Sequence, residues 1–364
     1  MVYKDYGKTG KKVSAIGFGG MRFVKDGDSY DYDKCAEVVR TANRLGVNYF
    51  DTAPFYNEDQ SELIFGHALK EMPGEYYISS KSGDKDGSEL RKRLETSLTR
   101  LGVEKINFYH IWCILDIEDY KSRMVKGGAY EAALKAKEEG LIEHIVFSTH
   151  CNGDEIETIV NNGGFEGMTI GYNILNAQFR GKGLRAAYEK GLGVATMNPL
   201  GGGIIPEKAD FFDFLRGEKD KTVVDAALRF NCSHKEISTV LAGMGTIEQV
   251  IQNTEIGRVI SPFDENKLKE INDRMSSSMD KLCTGCRYCE YCPQEIPVSK
   301  HMLSYNYSIL GNSEATMNEF KWHWGIDPKE AEKCIECGIC ESKCTQHLPI
   351  IGRLKDIAAW TEQK

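Results

Sequence analysis

Between Val13 and Ala242, short apolar segments with strand character alternate with segments whose apolar residues recur at helical spacing. The strand-like segments are Val13–Gly19, Val47–Phe50, Tyr76–Ser80, Ile106–Trp112, His144–Ser148, Met168–Asn173, Gly193–Met197 and Ser238–Ala242. Helical periodicity covers Lys34–Leu45, Ser61–Lys70, Leu90–Leu101, Ala129–Glu139, Asp154–Asn161, Leu184–Lys190, Val223–Asn231 and Ile247–Asn253. Gly46, Gly102, Gly140 and Gly191 follow four of these helices, where glycine takes the left-handed stop without a Cβ penalty. An α/β chain with this repeat predicts a (β/α)8 TIM barrel. An open doubly wound sheet would alternate too, but it calls for G-x-G-x-x-G after its first strand. Gly17-Phe18-Gly19-Gly20-Met21-Arg22 stands there instead. The barrel is therefore expected, with functional side chains at the carboxyl ends of its strands.

The 364 residues exceed what one core of ordinary size organises, so a second domain is expected. Cysteine usage marks it. Cys35, Cys113, Cys151 and Cys232 are scattered, while the other eight of the 12 cysteines fall between Cys283 and Cys344. The predicted division is a barrel over 1–260, a linker helix over 261–281 and a cysteine-rich, mainly helical domain over 282–364. No apolar run approaches the roughly 20 residues that span a bilayer, and the first residues lack the apolar stretch of an export signal. Clustered cysteines in such a chain point to metal rather than disulfides. A net charge of −8 argues against nucleic acid as a partner. The expectation is a cytoplasmic, non-membrane protein.

The two cysteine runs are Cys283-x2-Cys286-x2-Cys289-x2-Cys292-Pro293 and Cys334-x2-Cys337-x2-Cys340-x3-Cys344. Structural zinc also uses C-x2-C, but as two pairs separated by a longer loop around one ion. Three cysteines at consecutive x2 spacing instead wrap three corners of one cubane. The runs resemble those of a two-cluster bacterial ferredoxin. That resemblance implies two 4Fe–4S clusters with crossed fourth ligands. One set is Cys283, Cys286, Cys289 and Cys344; the other is Cys334, Cys337, Cys340 and Cys292. The first run has x2 where ferredoxins have x3 before Cys-Pro, and Thr345 replaces the proline after Cys344.

In the barrel region, the strand ending at Phe50 presents Asp51, and Pro54 stops any regular element before Tyr56. The next strand ends at Lys81. Singly these would be a cap, a packing ring and a solvated cation. Together they can tune an acid: an ammonium stabilises a phenolate, a carboxylate holds the ammonium charged, and the phenol can then give a proton to a carbonyl oxygen. Asp51-Thr52-Ala53-Pro54-Phe55-Tyr56 with a strand-end Lys resembles the aldo/keto reductase family. Further similarity lies in Ser97–Gly102, Glu139–Ile142, Phe147–His150, Tyr172-Asn173, Asn198–Gly201 and Ala242–Gly245.

This resemblance implies catalytic roles for Asp51, Tyr56 and Lys81 and a nicotinamide cofactor, NAD(H) or NADP(H). The family's histidine at the end of the fourth strand aligns with Trp112; His110 lies on the same face, deeper in, as a displaced catalytic histidine or a satisfied core one. His150 is another candidate for the missing polar group. Cofactor-binding positions implied are Met21, Ser148, Asn173, Met197, Gly243, Gly245, Gln249 and Asn253. The family's strand-six amide maps to Thr169. No Lys or Arg lies between Gly243 and Asn253, so little preference for a 2′-phosphate is expected. The predicted protein is an oxidoreductase acting on a small carbonyl or alcohol, with electrons relayed through the clusters to or from a redox partner protein. Because hydride transfer moves two electrons and a cluster one, a flavin gate is a further cofactor to look for. The alternative is an electron-transfer or docking subunit whose barrel is catalytically degenerate.

Overall fold

The computed structural model describes residues 1–278, 283, 289–309, 317, 320, 325–344 and 348–362, with the side chains of 204, 272 and 275–278 left aside. Cys286, Trp322 and Trp324 lie outside the described residues. The chain divides into two units, one of Met1–Gly203 with Leu215–Phe263, the other of Ile204–Phe214 with Asp264–Lys364.

The first unit opens with an antiparallel hairpin, β1 (Tyr3–Asp5) and β2 (Lys12–Ser14). Eight strands follow: β3 (Ile16–Gly19), β4 (Tyr49–Asp51), β5 (Tyr77–Ser82), β6 (Ile106–Ile114), β7 (Ile142–Thr149), β8 (Gly167–Gly171), β9 (Gly193–Met197) and β10 (Thr239–Gly243). They pair in parallel in chain order and close where β10 meets β3, Val240 beside Ile16. The (β/α)8 barrel expected from the alternation is present. Its helices start where side chains satisfy the first free N–H groups. Asp86 accepts from Ser88 N and Glu89 N at 2.8 and 3.2 Å before helix Gly87–Leu101, and Asn152 and Thr222 form capping boxes.

The expected first strand, Val13–Gly19, is two elements. Asn48 takes Ser14 N onto its Oδ1 at 2.7 Å while Asn48 N donates to Ser14 Oγ at 3.0 Å. These bonds occupy Ser14 with a side chain, so the hairpin strand ends there and the barrel strand begins after Ala15. The helix expected over Leu184–Lys190 starts earlier, at Ala177. The segment between β9 and helix Val223–Ser233 forms short helical turns over Ile204–Leu215. It is entered through Gly201, Gly202 and Gly203, all at positive φ.

The hairpin turn delivers Tyr6, fully buried, onto Tyr49 and Phe108 at ring separations of 5.7 and 4.4 Å. The ring has room because β8 and β9 begin with glycine. A Cβ on Gly193 would lie 2.1 Å from the Tyr6 ring, and one on Gly167 2.6 Å. Gly193→Ala is expected to overpack this end of the barrel at a cost of about 1–3 kcal/mol. The denaturant midpoint reads it; an unchanged midpoint would mean that Tyr6 moves aside freely.

The second unit is helical. Helices Glu265–Ser278, Val298–Ile309 and Ile350–Glu362 carry it. Its core unites Ile296, Val298, Met302, Phe320, Leu348, Ile350, Leu354 and Ile357 with Cys289, Cys340 and Cys344. Tyr305 stacks on Trp360 at 5.3 Å. Among the described residues no helix is long and apolar enough to cross a membrane.

Candidate active site

Parallel register brings the barrel residues together. Asp51 ends β4 opposite Ser79 of β5, and Lys81 sits opposite His110 of β6. Lys81 Nζ donates to Asp51 Oδ1 at 2.6 Å and to the Thr52 carbonyl at 2.7 Å. Ser79 Oγ donates to the same carboxylate oxygen. Lys81 is 1% exposed and Asp51 4%, so this is a buried ion pair in which the ammonium and a hydroxyl share one carboxylate oxygen. Burial pulls the Lys81 ammonium pKa down, while Asp51, and more weakly Glu62, hold it up.

Tyr56 lies on the loop after β4. The Lys81 ammonium sits over its ring, 5.2 Å from the centroid, and Trp112 meets the ring edge-on at 5.9 Å. Burial raises the phenol pKa, and the Asp51 charge raises it further. This reverses the sequence-based expectation of a phenol depressed by Lys81. The ammonium is paired with Asp51, whose own charge opposes loss of the phenol proton. Tyr56 therefore rests as the protonated phenol.

The loop is held in a costly backbone shape. Phe55, Asn57, Glu58 and Asp59 all have positive φ, which L-residues occupy at a penalty. Arg100 grips Asp59 through two bonds of 2.7 Å, Asp59 Oδ1 accepts from Phe55 N at 3.0 Å, and the Asn57 amide, turned with its nitrogen toward Met21 O and its oxygen toward Phe23 N, would bond both. Sequence reading missed Asp59, Asn57 and Arg100. Arg100 does fall inside the Ser97–Gly102 similarity, but nothing in that motif ties it to a residue 41 positions earlier.

His110 is fully buried. Its Nδ1 faces the Ser80 carbonyl at 3.3 Å and its Nε2 is 2.8 Å from Thr169 Oγ1. A carbonyl only accepts, so Nδ1 carries the proton and Nε2 accepts from the threonine hydroxyl. Burial, then the Lys81 charge, pushes the imidazole pKa down to about 3. Both nitrogens are engaged and the ring is neutral, which favours the core histidine of the two alternatives. The same bond occupies Thr169. His150 lies past β7, and its carbonyl accepts from the buried Arg180 at 3.1 Å. Trp112 and Cys113 lie within an irregularity of β6 between Ile111 and Ile114, where Cys113 has positive φ and its N–H donates to Ser148 Oγ at 2.8 Å.

Of the cofactor-binding positions, Ser148 thus serves the β6 irregularity. Asn173 is buried; its amide donates to the Asn198 carbonyl at 2.9 Å and its Oδ1 accepts from Leu175 N at 2.8 Å. Met197 ends β9 partly buried, and Met21 is exposed after β3. Gly243 ends β10; Thr246 caps helix Ile247–Arg258, and Gly245 N donates to Gln249 Oε1 at 2.8 Å. Asn253 is buried one turn further on. Arg22 lies directly on this loop: a Cβ on Gly243 would come within 2.6 Å of Arg22 Cγ, and one on Gly245 within 2.5 Å of the Arg22 carbonyl. The chain thus brings a cation to the loop from 221 residues away in sequence. Reading only the stretch after Gly243 could not find it.

In the second unit, Cys292, Cys334, Cys337 and Cys340 line one cavity walled otherwise by apolar groups such as Pro293, Ile335, Ile339 and Leu354. Among the described residues no group of three or more Cys, His, Asp or Glu side chains is placed to hold a single metal ion; four thiols around one cavity are the donor chemistry of a cubane. Cys289 and Cys344 are buried in the core with Cys283 packed against it; Cys286, assigned with them, is outside the described residues.

The fold and this lining define a barrel oxidoreductase joined to an iron–sulfur module. A sequence model of the Aldo/keto reductase family matches residues 15–274, and one of the 4Fe-4S dicluster domain matches residues 282–348. The chain belongs to the aldo/keto reductase family and is an oxidoreductase carrying a 4Fe–4S dicluster domain. It is similar to L-galactose dehydrogenase of Arabidopsis thaliana, 29% identical over 275 residues, which cover 68% of this chain and 85% of that protein. It is 27% identical to the NADH-specific methylglyoxal reductase of Escherichia coli over 197 residues, 48% of this chain and 59% of the other. Among solved structures, an aldo-keto reductase from Bacillus halodurans superposes with a TM-score of 0.64 at 23% identity, covering 75% of this chain and 96% of that one. A glycerol dehydrogenase from Gluconobacter oxydans gives 0.64 at 19%, covering 76% and 95%. At these identities the two structures share the fold.

Proposed function

We propose that the barrel interconverts a small carbonyl compound and its alcohol, with Tyr56 moving the proton at the substrate oxygen, and that the dicluster domain links this site to a redox partner protein. The observation carrying this reading is the buried Lys81–Asp51 pair beneath Tyr56. A phenol kept protonated by burial is ready to donate as a carbonyl oxygen gains negative charge. Lys81 favours the phenolate left behind, and Asp51 keeps Lys81 charged. Trp112 shields one edge of the phenol from water. When bound, a nicotinamide would supply hydride and the clusters single-electron transfer, and a group able to split the electron pair, such as a flavin, would be needed between them.

Gly243, Gly245, the Thr246-capped helix and Arg22 fit the phosphates of a dinucleotide. Gln249 and Asn253 continue the same helix face. Ser148 and Asn173 would meet the carboxamide end, though both already bond within the chain. That engagement, with the sealed His110, is what favours the second reading, an electron-transfer or docking subunit with a degenerate barrel. The E. coli relative is NADH-specific by its name, in keeping with little preference for the 2′-phosphate.

Titration of the protein with NADH and NADPH tests the cofactor reading. Both are expected to bind within about tenfold of each other, and Arg22→Met to weaken both by about tenfold, or 1.4 kcal/mol. NADPH tighter by well over tenfold would show that Arg22 reads the 2′-phosphate. Binding of neither would give the second reading its place.

A further inference from the structure

Two hydrogen-bond donors stand side by side at the carboxyl face of the barrel with nothing in the chain to bond. Tyr56 and Trp112 are both partly buried, and their rings meet at 5.9 Å with an interplanar angle of 81°. Among the described residues neither the Tyr56 hydroxyl nor the Trp112 indole N–H makes a hydrogen bond. Neither is sealed off, unlike the Tyr6, Tyr49 and Tyr109 hydroxyls, which are buried without a partner. An indole N–H only donates, so water or an acceptor on a ligand must satisfy it. Other polar groups nearby are spent. His110 is engaged at both nitrogens, Ser148 Oγ accepts from Cys113 N, and the Asn173 amide donates to Asn198 O. The backbone aims Trp112 as well. β6 shifts register between Ile111 and Ile114, with Cys113 at φ 60°, and such irregularities re-aim side chains beside active sites. Gly83, just past β5, stands against one side of the indole: a Cβ on it would lie 3.9 Å from Trp112 Cε3. Cε3 and Nε1 lie on opposite sides of the ring system, so the N–H edge is turned away from Gly83.

We propose that Trp112 is a catalytic residue, its indole N–H forming with the Tyr56 hydroxyl a two-donor site for the oxygen of the substrate carbonyl. This inference rests on the reading of the barrel as a carbonyl–alcohol site. In the reducing direction the carbonyl carbon takes a hydride from a dihydronicotinamide, which is oxidised, and the second C–O bond's electron pair moves to oxygen. The Tyr56 O–H bond breaks to protonate that oxygen, and water returns a proton to the phenolate. Trp112 gives up no proton. Its hydrogen bond strengthens as negative charge grows on the oxygen, so it favours the transition state over the bound ground state.

The test is steady-state reduction of methylglyoxal and benzaldehyde by NADH, with NADH binding and the thermal midpoint of the full chain measured for each variant. Trp112→Phe keeps a ring against Tyr56 and deletes the donor. It is expected to lower kcat by about a hundredfold, the usual cost of one oxyanion donor, with KM, NADH binding and the thermal midpoint little changed. Trp112→His restores a ring N–H and should recover most of that loss. The proposal is overturned if Trp112→Phe keeps its kcat, if the loss lies in KM, or if Trp112→His is no better than Trp112→Phe. Should Trp112→Phe fail to fold, Trp112→Leu replaces it as the donor-free variant in the same comparison. An active Trp112→Phe beside an inactive Tyr56→Phe removes the Trp112 role alone, whereas turnover that survives Tyr56→Phe removes the barrel reading beneath it.

Discussion

Tyr56→Phe is expected to lower carbonyl turnover by about two to four orders of magnitude, the usual contribution of a positioned acid, while leaving the cluster signals intact. The substitution keeps the ring that Trp112 and Lys81 pack against and deletes only the transferable proton. Lys81→Met should cost a similar amount. As the proton leaves, negative charge grows on the phenol oxygen, and without the ammonium nothing in the buried site offsets it. Asp51→Asn acts at one remove and should cost less at neutral pH. Burial already pulls Lys81 down and Asp51 is the main force against it. Removing Asp51 lets the ammonium lose its proton at lower pH, so the alkaline limb of the turnover profile should shift toward neutrality. Cluster reduction by an external donor should be indifferent to all three. If Tyr56→Phe and Lys81→Met both leave the native redox activity untouched, the barrel site is a relic and the electron-carrier reading replaces it.

The second large effect concerns the cysteines. Anaerobic protein is expected to hold about eight iron and eight sulfide per chain, as two cubanes require. Cys292→Ala should deplete the cluster otherwise served by Cys334, Cys337 and Cys340, although Cys292 belongs to the other run, because those four line one cavity. Loss of about half the iron, with Cys334→Ala removing the same half and no more in combination, would establish the crossing. Additive losses in the double variant would instead assign Cys292 to its own run. Zinc at one or two per chain without sulfide would end the electron-carrier role. The apo domain should also melt earlier, since Cys289, Cys340 and Cys344 are part of its core.

Much of this protein was legible without coordinates. The alternation of strand-like and helix-like segments is a local property, set by side-chain periodicity and by stops such as Gly102 and Gly191, both at positive φ. It sufficed for the barrel, and hence for finding Asp51 and Lys81 near one another, since in a parallel barrel successive strands end at one face. The cysteine spacing is equally local, and it alone suggested cubanes. Where the reading failed at short range, a single side chain had intervened: Asn48 bonds Ser14 and divides what looks like one continuous strand.

What only the tertiary structure decided are meetings between residues far apart in sequence and the burial that weights them. The Asp51, Tyr56 and Lys81 motif says which charges are close. It does not say that Lys81 spends its hydrogen bonds on Asp51 and Thr52, or that burial and the Asp51 charge raise the Tyr56 phenol pKa. Nor does it say that Ser80 and Thr169 stand at the two nitrogens of His110. Arg22 on the Gly243 loop and Arg100 on Asp59 leave no trace in composition or periodicity. Periodicity records which face of an element is apolar; the partner across the barrel or core depends on how loops and packing close the chain, and charge energies depend on the water that closure excludes.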